Sequence, residues 1–140
     1  MLKSIEKHFD LTGKDPDQIG PLKLAYLGDA VYELIVRTIL MDEHDRSVKK
    51  MNKTAQKLVN ATTQARVAEV IVPHLSKSEN AVYHRGRNAK TASVSKHSDI
   101  RDYRIATGLE AVFGYWYLTG RTERAVDMLK QALIQLEIDT

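Results

Sequence analysis

The sequence predicts an all-α fold, a helical bundle formed by one domain of 140 residues. Apolar residues recur at the three- and four-residue spacing of helices and do not alternate with polar ones as in half-buried strands. Glycine and proline fall mainly between these apolar runs, where they separate helices. A hydrophobic content of 43% is enough for a single core in a chain of this length. No linker or repeat divides residues 1–140, so we expect one domain.

Four helices are predicted in the first half of the chain. A short helix over about residues 2–9 leads into a polar connection, and Pro21 suits the first turn of a long helix that ends near residue 41. Ser47 can cap the next helix, which a break at residues 60–63 separates from the fourth. The expected buried stripe of the long helix is Leu24, Leu27, Val31, Leu34, Ile35 and Ile39.

Three further helices are predicted in the second half. Ser78 can cap a short helix that ends around Gly86, and residues 88–98 then lack periodicity, which indicates an exposed loop. A strongly apolar helix follows over about residues 100–118. The last helix, over residues 123–136, has its expected inward face at Ala125, Met128, Leu129, Ala132, Leu133 and Leu136.

Composition excludes several classes of protein. The chain has no apolar run long enough to cross a membrane and no charged-then-apolar leader, so we expect neither a membrane protein nor a secreted one. It has no cysteine, which rules out disulfides and thiolate metal sites and is typical of the cytoplasm. The five histidines show no paired spacing of the kind found in metal sites. We therefore expect a cytoplasmic protein.

Positive charge is concentrated in two segments. Residues 46–66 and 85–97 contain ten of the 21 lysines and arginines and none of the 18 acidic residues. Like charges held together in this way favour a polyanionic partner such as nucleic acid. A solvated helix face followed by a mobile loop would have the same composition, so charge alone leaves both interpretations open.

Two apolar runs each contain a lone acid at a position where a core residue is expected. Asp29 lies within residues 24–33 and Glu110 within residues 106–115. Carboxylates are rarely buried without a partner, because removing an isolated charge from water costs several kcal/mol or more. If the two helices cross here, the acids can meet on one cation. Glycines beside both acids would allow that close packing: Gly28, Gly108 and Gly114.

Oxygen ligands without histidine or cysteine suit a hard cation, Mg²⁺ or Mn²⁺, which keeps several waters and takes one or two protein carboxylates. The alternative is that each acid pairs with a base, Arg37 or Arg104 for example, at an ordinary helix contact. Glu33 lies four residues after Asp29 and would share its helix face. It could supply a further ligand of such a cation or orient a water, or it could be an ordinary exposed acid.

Several motifs resemble those of one enzyme family. Residues 24–30, LAYLGDA, resemble the signature helix of ribonuclease III catalytic domains, whose usual form is LEFLGDA or LEFLGDS. Glu110 and Ala111, within TGLEAVFG, are similar to the second acidic helix, usually DxFEA. RGRNAK at residues 85–90 and DYR at residues 102–104 resemble the Mini-ribonuclease III branch, which has no double-stranded RNA-binding domain. The resemblance covers about residues 20–136.

The resemblance implies an all-α homodimer that cleaves double-stranded RNA with Mg²⁺, for which Mn²⁺ is a possible substitute. Asp29 and Glu110 match the catalytic, metal-binding carboxylates of the family. Tyr26 stands where the family has an aromatic side chain that inserts into the partner subunit; without the resemblance it would be interpreted as a core residue. The Mini branch also implies a precursor of large-subunit (23S) ribosomal RNA as substrate and a large-subunit ribosomal protein as a helper.

A domain without an appended RNA-binding module must grip the duplex itself, through phosphates and 2′-hydroxyls. The loop predicted over residues 85–97 is the best candidate, with Gly86 permitting close approach and Ser93 and Ser95 available to bond ribose or phosphate oxygens. A mobile loop with incidental charge is the alternative. The basic face of the 46–59 helix is a second candidate. The predicted RNA contacts are Arg85, Arg87, Asn88, Lys90 and Lys96.

The sequence also departs from the wider family. Leu22, Ala25 and Thr107 stand where other ribonuclease III domains have acids, although the Mini branch shares this smaller acid set. The number of metal ions is therefore left open. Two alternatives follow from the missing acids: a ribonuclease III-like RNA-binding protein that has lost catalysis, and a helical adaptor that dimerises and binds a protein.

Overall fold

Seven α-helices form the described part of the chain, residues 1–42, 46–89 and 99–140, in this computed structural model. No strand occurs in these residues, in agreement with the predicted all-α fold. Short 3-10 turns at Pro16–Gln18 and Val72–His74 precede α2 and follow α4. The helices are α1 (Leu2–His8), α2 (Pro21–Leu40), α3 (Val48–Val59), α4 (Ala61–Ile71), α5 (Lys77–Asn88), α6 (Ile100–Leu118) and α7 (Thr122–Gln135).

Side-chain caps fix most helix starts. The Ser47 hydroxyl accepts a hydrogen bond from the Lys50 amide at the start of α3, as predicted. The Asn60 side chain caps α4 by accepting from the amide of Thr63, so the break between α3 and α4 is a single residue. Each cap satisfies an amide that has no partner within its own helix.

The predicted cap of α5 was wrong. Ser76, not Ser78, caps this helix, and it forms a capping box in which Ser76 and Glu79 each accept from the other's backbone amide. The box starts α5 earlier than predicted. The helix also continues past Gly86 to Asn88, because that glycine packs against α6 instead of ending the helix.

The most buried helix is α6, with α2, α4, α5 and α7 packed around it. Twelve of its 19 residues are buried, which explains why its apolar residues surround the whole helix and do not form a stripe. Aromatic rings fill the space between α6 and its neighbours. Phe113 stacks edge-on against both Tyr32 of α2 and Trp116, and all three rings are fully buried.

The buried stripe of α2 differs in part from the predicted one. Leu24 and Val31 are buried as expected, but Leu34 is 53% exposed and Ile39 also faces solvent. The buried face of α2 includes the small residues Ala25 and Gly28, because α2 meets α6 at Gly28, where close packing was predicted. In α7 the predicted face is correct: its buried residues are Ala125, Leu129, Ala132 and Leu133, with Met128 and Leu136 partly buried.

A buried ion pair ties α5 to α6 and α7. Glu79 has no exposed surface, and its carboxylate accepts hydrogen bonds from Arg124 at 2.7 and 2.9 Å and from the Trp116 indole at 2.5 Å. The Arg124 guanidinium also lies 5.7 Å from the centre of the Trp116 ring. Burial alone would raise the pKa of Glu79, but the hydrogen bonds from Arg124, Trp116 and Ser76 outweigh it and lower the pKa to about 2.

Replacing Arg124 with Met is expected to lower the free energy of unfolding by roughly 3 kcal/mol, because Glu79 would keep its burial and lose both hydrogen bonds from the guanidinium, while Arg121, 3.8 Å away, remains as a more distant charged neighbour. Urea unfolding measures this. Because the native pKa of Glu79 is lowered, its stabilising contribution is present above its unfolded pKa of about 4.3 and is lost as pH falls toward 2. The variant should lose less stability over that pH range; equal stability and equal acid sensitivity would contradict the assignment.

Candidate active site

Two glycines bring the backbones of α2 and α6 into contact. A Cβ added at Gly28 would lie 1.6 Å from the Glu110 carbonyl oxygen, and one added at Gly114 would lie 2.1 Å from the Leu24 carbonyl oxygen. No side chain of any size fits between the helices at these points. The crossing therefore sets the positions of the two residues beside it, Asp29 on α2 and Glu110 on α6.

The side chains of Asp29 and Glu110 meet at this crossing. The two carboxyl groups lie close enough that one of them, when protonated, can donate a hydrogen bond to the other. Glu110 is partly buried, whereas Asp29 is exposed, so the expectation that both acids occupy core positions was wrong for Asp29. Gly28 makes the buried contact with α6, which leaves its neighbour Asp29 at the surface of the crossing. Neither acid forms an ion pair with a described base.

Asp29 and Glu110 lie so close together that having both carboxyl groups ionised is unfavourable. Burial raises the pKa of Glu110, the adjacent Asp29 raises it further, and the Gln64 amide opposes this to a smaller extent, giving a pKa of about 8. Near neutral pH and without a cation, this raised pKa favours the protonated form of Glu110, in which its hydroxyl can donate to Asp29. Burial also raises the pKa of Tyr32, and Glu110 adds to that rise; the Tyr32 hydroxyl donates to the Leu58 carbonyl at 3.0 Å.

Gln64 lies beside the acid pair and was not predicted from the sequence. It lies on α4 and is 2% exposed, and its amide is close enough to Glu110 to affect the pKa of that carboxyl. Its Nε2 atom nevertheless reaches no partner with hydrogen-bond geometry, so the two groups approach each other without a formed bond. The available signal was a polar residue on the inward face of α4, beside Ala65 and Ala68.

The donor set for a metal is limited to this pair. No group of three or more His, Cys, Asp or Glu side chains forms a cluster in residues 1–42, 46–89 and 99–140. Glu33 forms an ion pair with Arg37 at 2.8 Å, so it is engaged elsewhere. The Thr107 hydroxyl donates to the Tyr103 carbonyl within its own helix. Two carboxylates that repel each other fit a hard divalent cation, which removes the repulsion and keeps waters at its other positions.

The basic residues at the end of α5 are helical. Arg85, Arg87 and Asn88 lie in its last turns and are exposed, so the loop predicted to begin at residue 85 was wrong for these three. Gly86 faces the opposite way: a Cβ there would lie 3.0 Å from the Gly108 Cα of α6, so this glycine serves helix packing and not the approach of a ligand. Lys90, Ser93, Ser95 and Lys96 lie outside the described residues.

Two other predicted surfaces are exposed. Tyr26 is 85% exposed on α2, so interpreting it as a core residue would have been wrong. Leu22, one turn earlier, is also exposed. The lysines of α3 all face solvent: Lys49, Lys50, Lys53 and Lys57. Among the described helices, none has the length and apolar character needed to cross a bilayer.

Comparison with known proteins agrees with this architecture. Residues 22–121 match the family model for the ribonuclease III domain. Mini-ribonuclease 3 of Desulfitobacterium hafniense is 48% identical across 81% of this chain and 72% of its own length. Mini-ribonuclease 3 of Brevibacillus brevis is 42% identical across 89% of this chain and 92% of its own.

A solved structure shows the same fold. The crystal structure of a Fusobacterium nucleatum protein superposes with a TM-score of 0.76 at 29% identity, covering 86% of this chain and 96% of the other. The family match and the relatives together confirm the resemblance predicted from the LAYLGDA and LEAVFG motifs. The chain belongs to the ribonuclease III family, as an endoribonuclease of the Mini-ribonuclease 3 type.

Proposed function

We propose that this endoribonuclease cleaves double-stranded RNA at a site where Asp29 and Glu110 together hold Mg²⁺, with Mn²⁺ as a substitute. The observation that carries the proposal is the meeting of these two carboxyl groups at a helix crossing set by Gly28 and Gly114. Two carboxylates held this close together without a basic partner destabilise the folded protein unless a proton or a cation neutralises their charge. The single domain over residues 1–140 would supply both catalysis and the grip on RNA.

The chemistry divides between the cation and the chain. A divalent cation in such a site activates water and neutralises charge on the phosphoryl group. The chain has to hold two carboxylates close together and keep the site open to solvent. Asp29 is exposed and Glu110 partly buried, so the pair has one side fixed by α6 and the other open to water and to a phosphodiester. Binding a cation would displace the proton that Glu110 holds near neutral pH.

RNA is held through its backbone in this proposal. A-form duplexes hide their base edges in a narrow major groove, so phosphates and 2′-hydroxyls are what a protein can reach. Arg85, Arg87 and Asn88 project from the end of α5 into solvent, and neither arginine forms an ion pair with a described residue. Lys90 and Lys96, outside the described residues, stay predicted RNA contacts. The exposed lysines of α3 are a second candidate.

Replacing both Arg85 and Arg87 with Ala is expected to weaken binding to duplexes of any sequence. The slope of log affinity against log salt concentration should fall by about two, one for each lost phosphate contact. A fluorescence-anisotropy titration with a labelled duplex at several salt concentrations measures both. Lys3 and Lys130, exposed on other helices, serve as a charge-matched control when changed to Ala. An unchanged slope in the arginine variant would remove α5 from the RNA surface.

Ribonuclease III enzymes are usually dimeric, and in this protein we assign the contact to the Tyr26 region. An aromatic side chain that is 85% exposed gains most by inserting into a partner subunit. Two sites in a homodimer would cut both strands of a duplex. The resemblance to Mini-ribonuclease 3 supports a precursor of large-subunit (23S) ribosomal RNA as the substrate, with a large-subunit ribosomal protein as a helper, in the cytoplasm.

The test is a nuclease assay on a long RNA duplex and on a single strand of the same sequence, with Mg²⁺ and with EDTA. The proposal expects cleavage of the duplex alone and none with EDTA. The absent acids at positions 22, 25 and 107 favour the competing view of an inactive RNA-binding protein. That view expects salt-sensitive duplex binding without cleavage under either condition, whereas a protein-binding adaptor would bind no RNA.

A further inference from the structure

Burying the Gln64 side chain costs free energy, and the packing of α4 alone does not explain why a polar residue stands there. It is 2% exposed, yet its Nε2 has no hydrogen-bond partner among the described residues. A buried polar group left without a partner costs about 1–3 kcal/mol, whereas an apolar side chain of the same shape would avoid that cost. Such groups in native proteins call for a specific explanation.

The position of Gln64 supplies that explanation. Asn60 caps α4 one turn before Gln64, and α4 packs against α6, so the side chain is held beside Glu110. A neutral amide is the polar group that can approach two carboxylates without adding a third negative charge. Its N–H groups can donate to a carboxylate, and when they do so they favour the ionised form.

A hydrogen-bond partner for Glu110 is useful because this site has fewer acidic side chains than other ribonuclease III domains. Leu22, Ala25 and Thr107 offer no carboxylate, so few side chains are available at this crossing to hold the orientation of Glu110. Groups that orient a ligating carboxylate typically change metal affinity or activity by 10–100-fold. Among the described residues, three polar or charged side chains are buried, and Gln64 is the one with an amide that can donate a hydrogen bond to a carboxylate.

We propose that Gln64 is a positioning residue for Glu110: in the cation-loaded site its unpartnered amide donates a hydrogen bond to the Glu110 carboxylate and fixes the orientation in which that carboxylate binds the cation. This inference rests on the proposed function, because it requires Asp29 and Glu110 to share a divalent ion. Gln64 acts through Glu110 and does not itself touch the cation or the RNA.

The test is to change Gln64 to Met, which keeps the volume and removes the amide, and to Leu as a second variant. Mn²⁺ binding, followed by electron paramagnetic resonance without RNA, should weaken about tenfold or more in both. The thermal midpoint without metal should stay equal or rise, because a buried unpaired polar group has gone. In cleavage assays the Mg²⁺ concentration for half-maximal rate should rise, while the rate at saturating Mg²⁺ is largely kept.

A core truncation on the same helix separates positioning from stability. Val67→Ala removes buried volume three residues along α4 and should lower the thermal midpoint while leaving Mn²⁺ affinity unchanged. Mn²⁺ affinity equal to that of the unaltered protein in both Gln64 variants would overturn the inference. The Asp29→Asn variant keeps this outcome distinct from failure of the proposed function: if it binds Mn²⁺ as well as the unaltered protein does, the carboxylate site itself is wrong.

Discussion

Replacing Asp29 with Asn is expected to abolish Mg²⁺-dependent cleavage of double-stranded RNA. The amide keeps the shape of the side chain but removes one of the two carboxylates at the crossing, so the cation site loses half of its charged ligands. A metal that activates water supplies several kcal/mol, and about 1.4 kcal/mol corresponds to tenfold in rate, so the loss should be on the order of a thousandfold. Initial rates on a labelled duplex measure it.

Folding and RNA binding should survive in this variant, because Asp29 is exposed and its side chain has no partner besides Glu110 within residues 1–42, 46–89 and 99–140. The metal-free protein should even gain stability near pH 8, since Glu110 no longer faces a second negative charge. Glu33→Gln is the matched control: it lies one turn further along α2 but is paired with Arg37, and it should cleave at the normal rate. Normal cleavage by Asp29→Asn would refute the assignment of Asp29.

Replacing Gly28 with Ala is expected to prevent folding, or to lower the free energy of unfolding by more than roughly 4 kcal/mol. The added Cβ would lie 1.6 Å from the Glu110 carbonyl oxygen, and its other near neighbours are also backbone atoms, so no flexible side chain can move aside. Any variant protein that folds must have α2 pushed away from α6, which separates Asp29 from Glu110. Urea unfolding followed by circular dichroism measures the loss.

Gly20→Ala provides the control for a glycine at the start of the same helix. No atom lies within 4 Å of the Cβ it would introduce, and Gly20 has a negative φ of −62°. Its cost should be about 1 kcal/mol or less, as for an ordinary N-cap change. If Gly28→Ala unfolds at the same urea concentration as Gly20→Ala, the helix crossing is not as close as the structure shows.

Most of the fold could be predicted from sequence because local rules determine most helix boundaries. Pro21 and the Ser47 cap act on their own neighbours, so α2 and α3 begin where the sequence predicts, whereas α4 begins at Ala61, inside the break predicted over residues 60–63, because Asn60 caps it. The start of α5 also differs from the prediction: its cap is the Ser76–Glu79 box, and the Glu79 carboxylate accepts hydrogen bonds from Arg124 as well. The sequence predicted that α5 ends around Gly86. Its actual role, packing against α6, is visible only in the tertiary structure.

The site was predictable only in outline. The LAYLGDA and LEAVFG motifs identified Asp29 and Glu110, yet their spacing could not show which acid is buried, since that depends on how α2 is rotated at Gly28. Gln64 carries no motif, and its relation to Glu110 exists only because α4 packs against α6. Tyr26 was ambiguous for the same reason, because an aromatic in an apolar helix looks alike whether it faces the core or solvent.

The central claim is that Asp29 and Glu110 bind one divalent cation between them. Diffraction from crystals grown with Mn²⁺, at a wavelength where manganese scatters anomalously, tests it most directly. The account predicts an anomalous peak bound by an oxygen of Asp29 and an oxygen of Glu110, each about 2.0–2.3 Å from it, with waters at the remaining positions. A peak bound by other residues, or no peak between these two at saturating Mn²⁺, would contradict it.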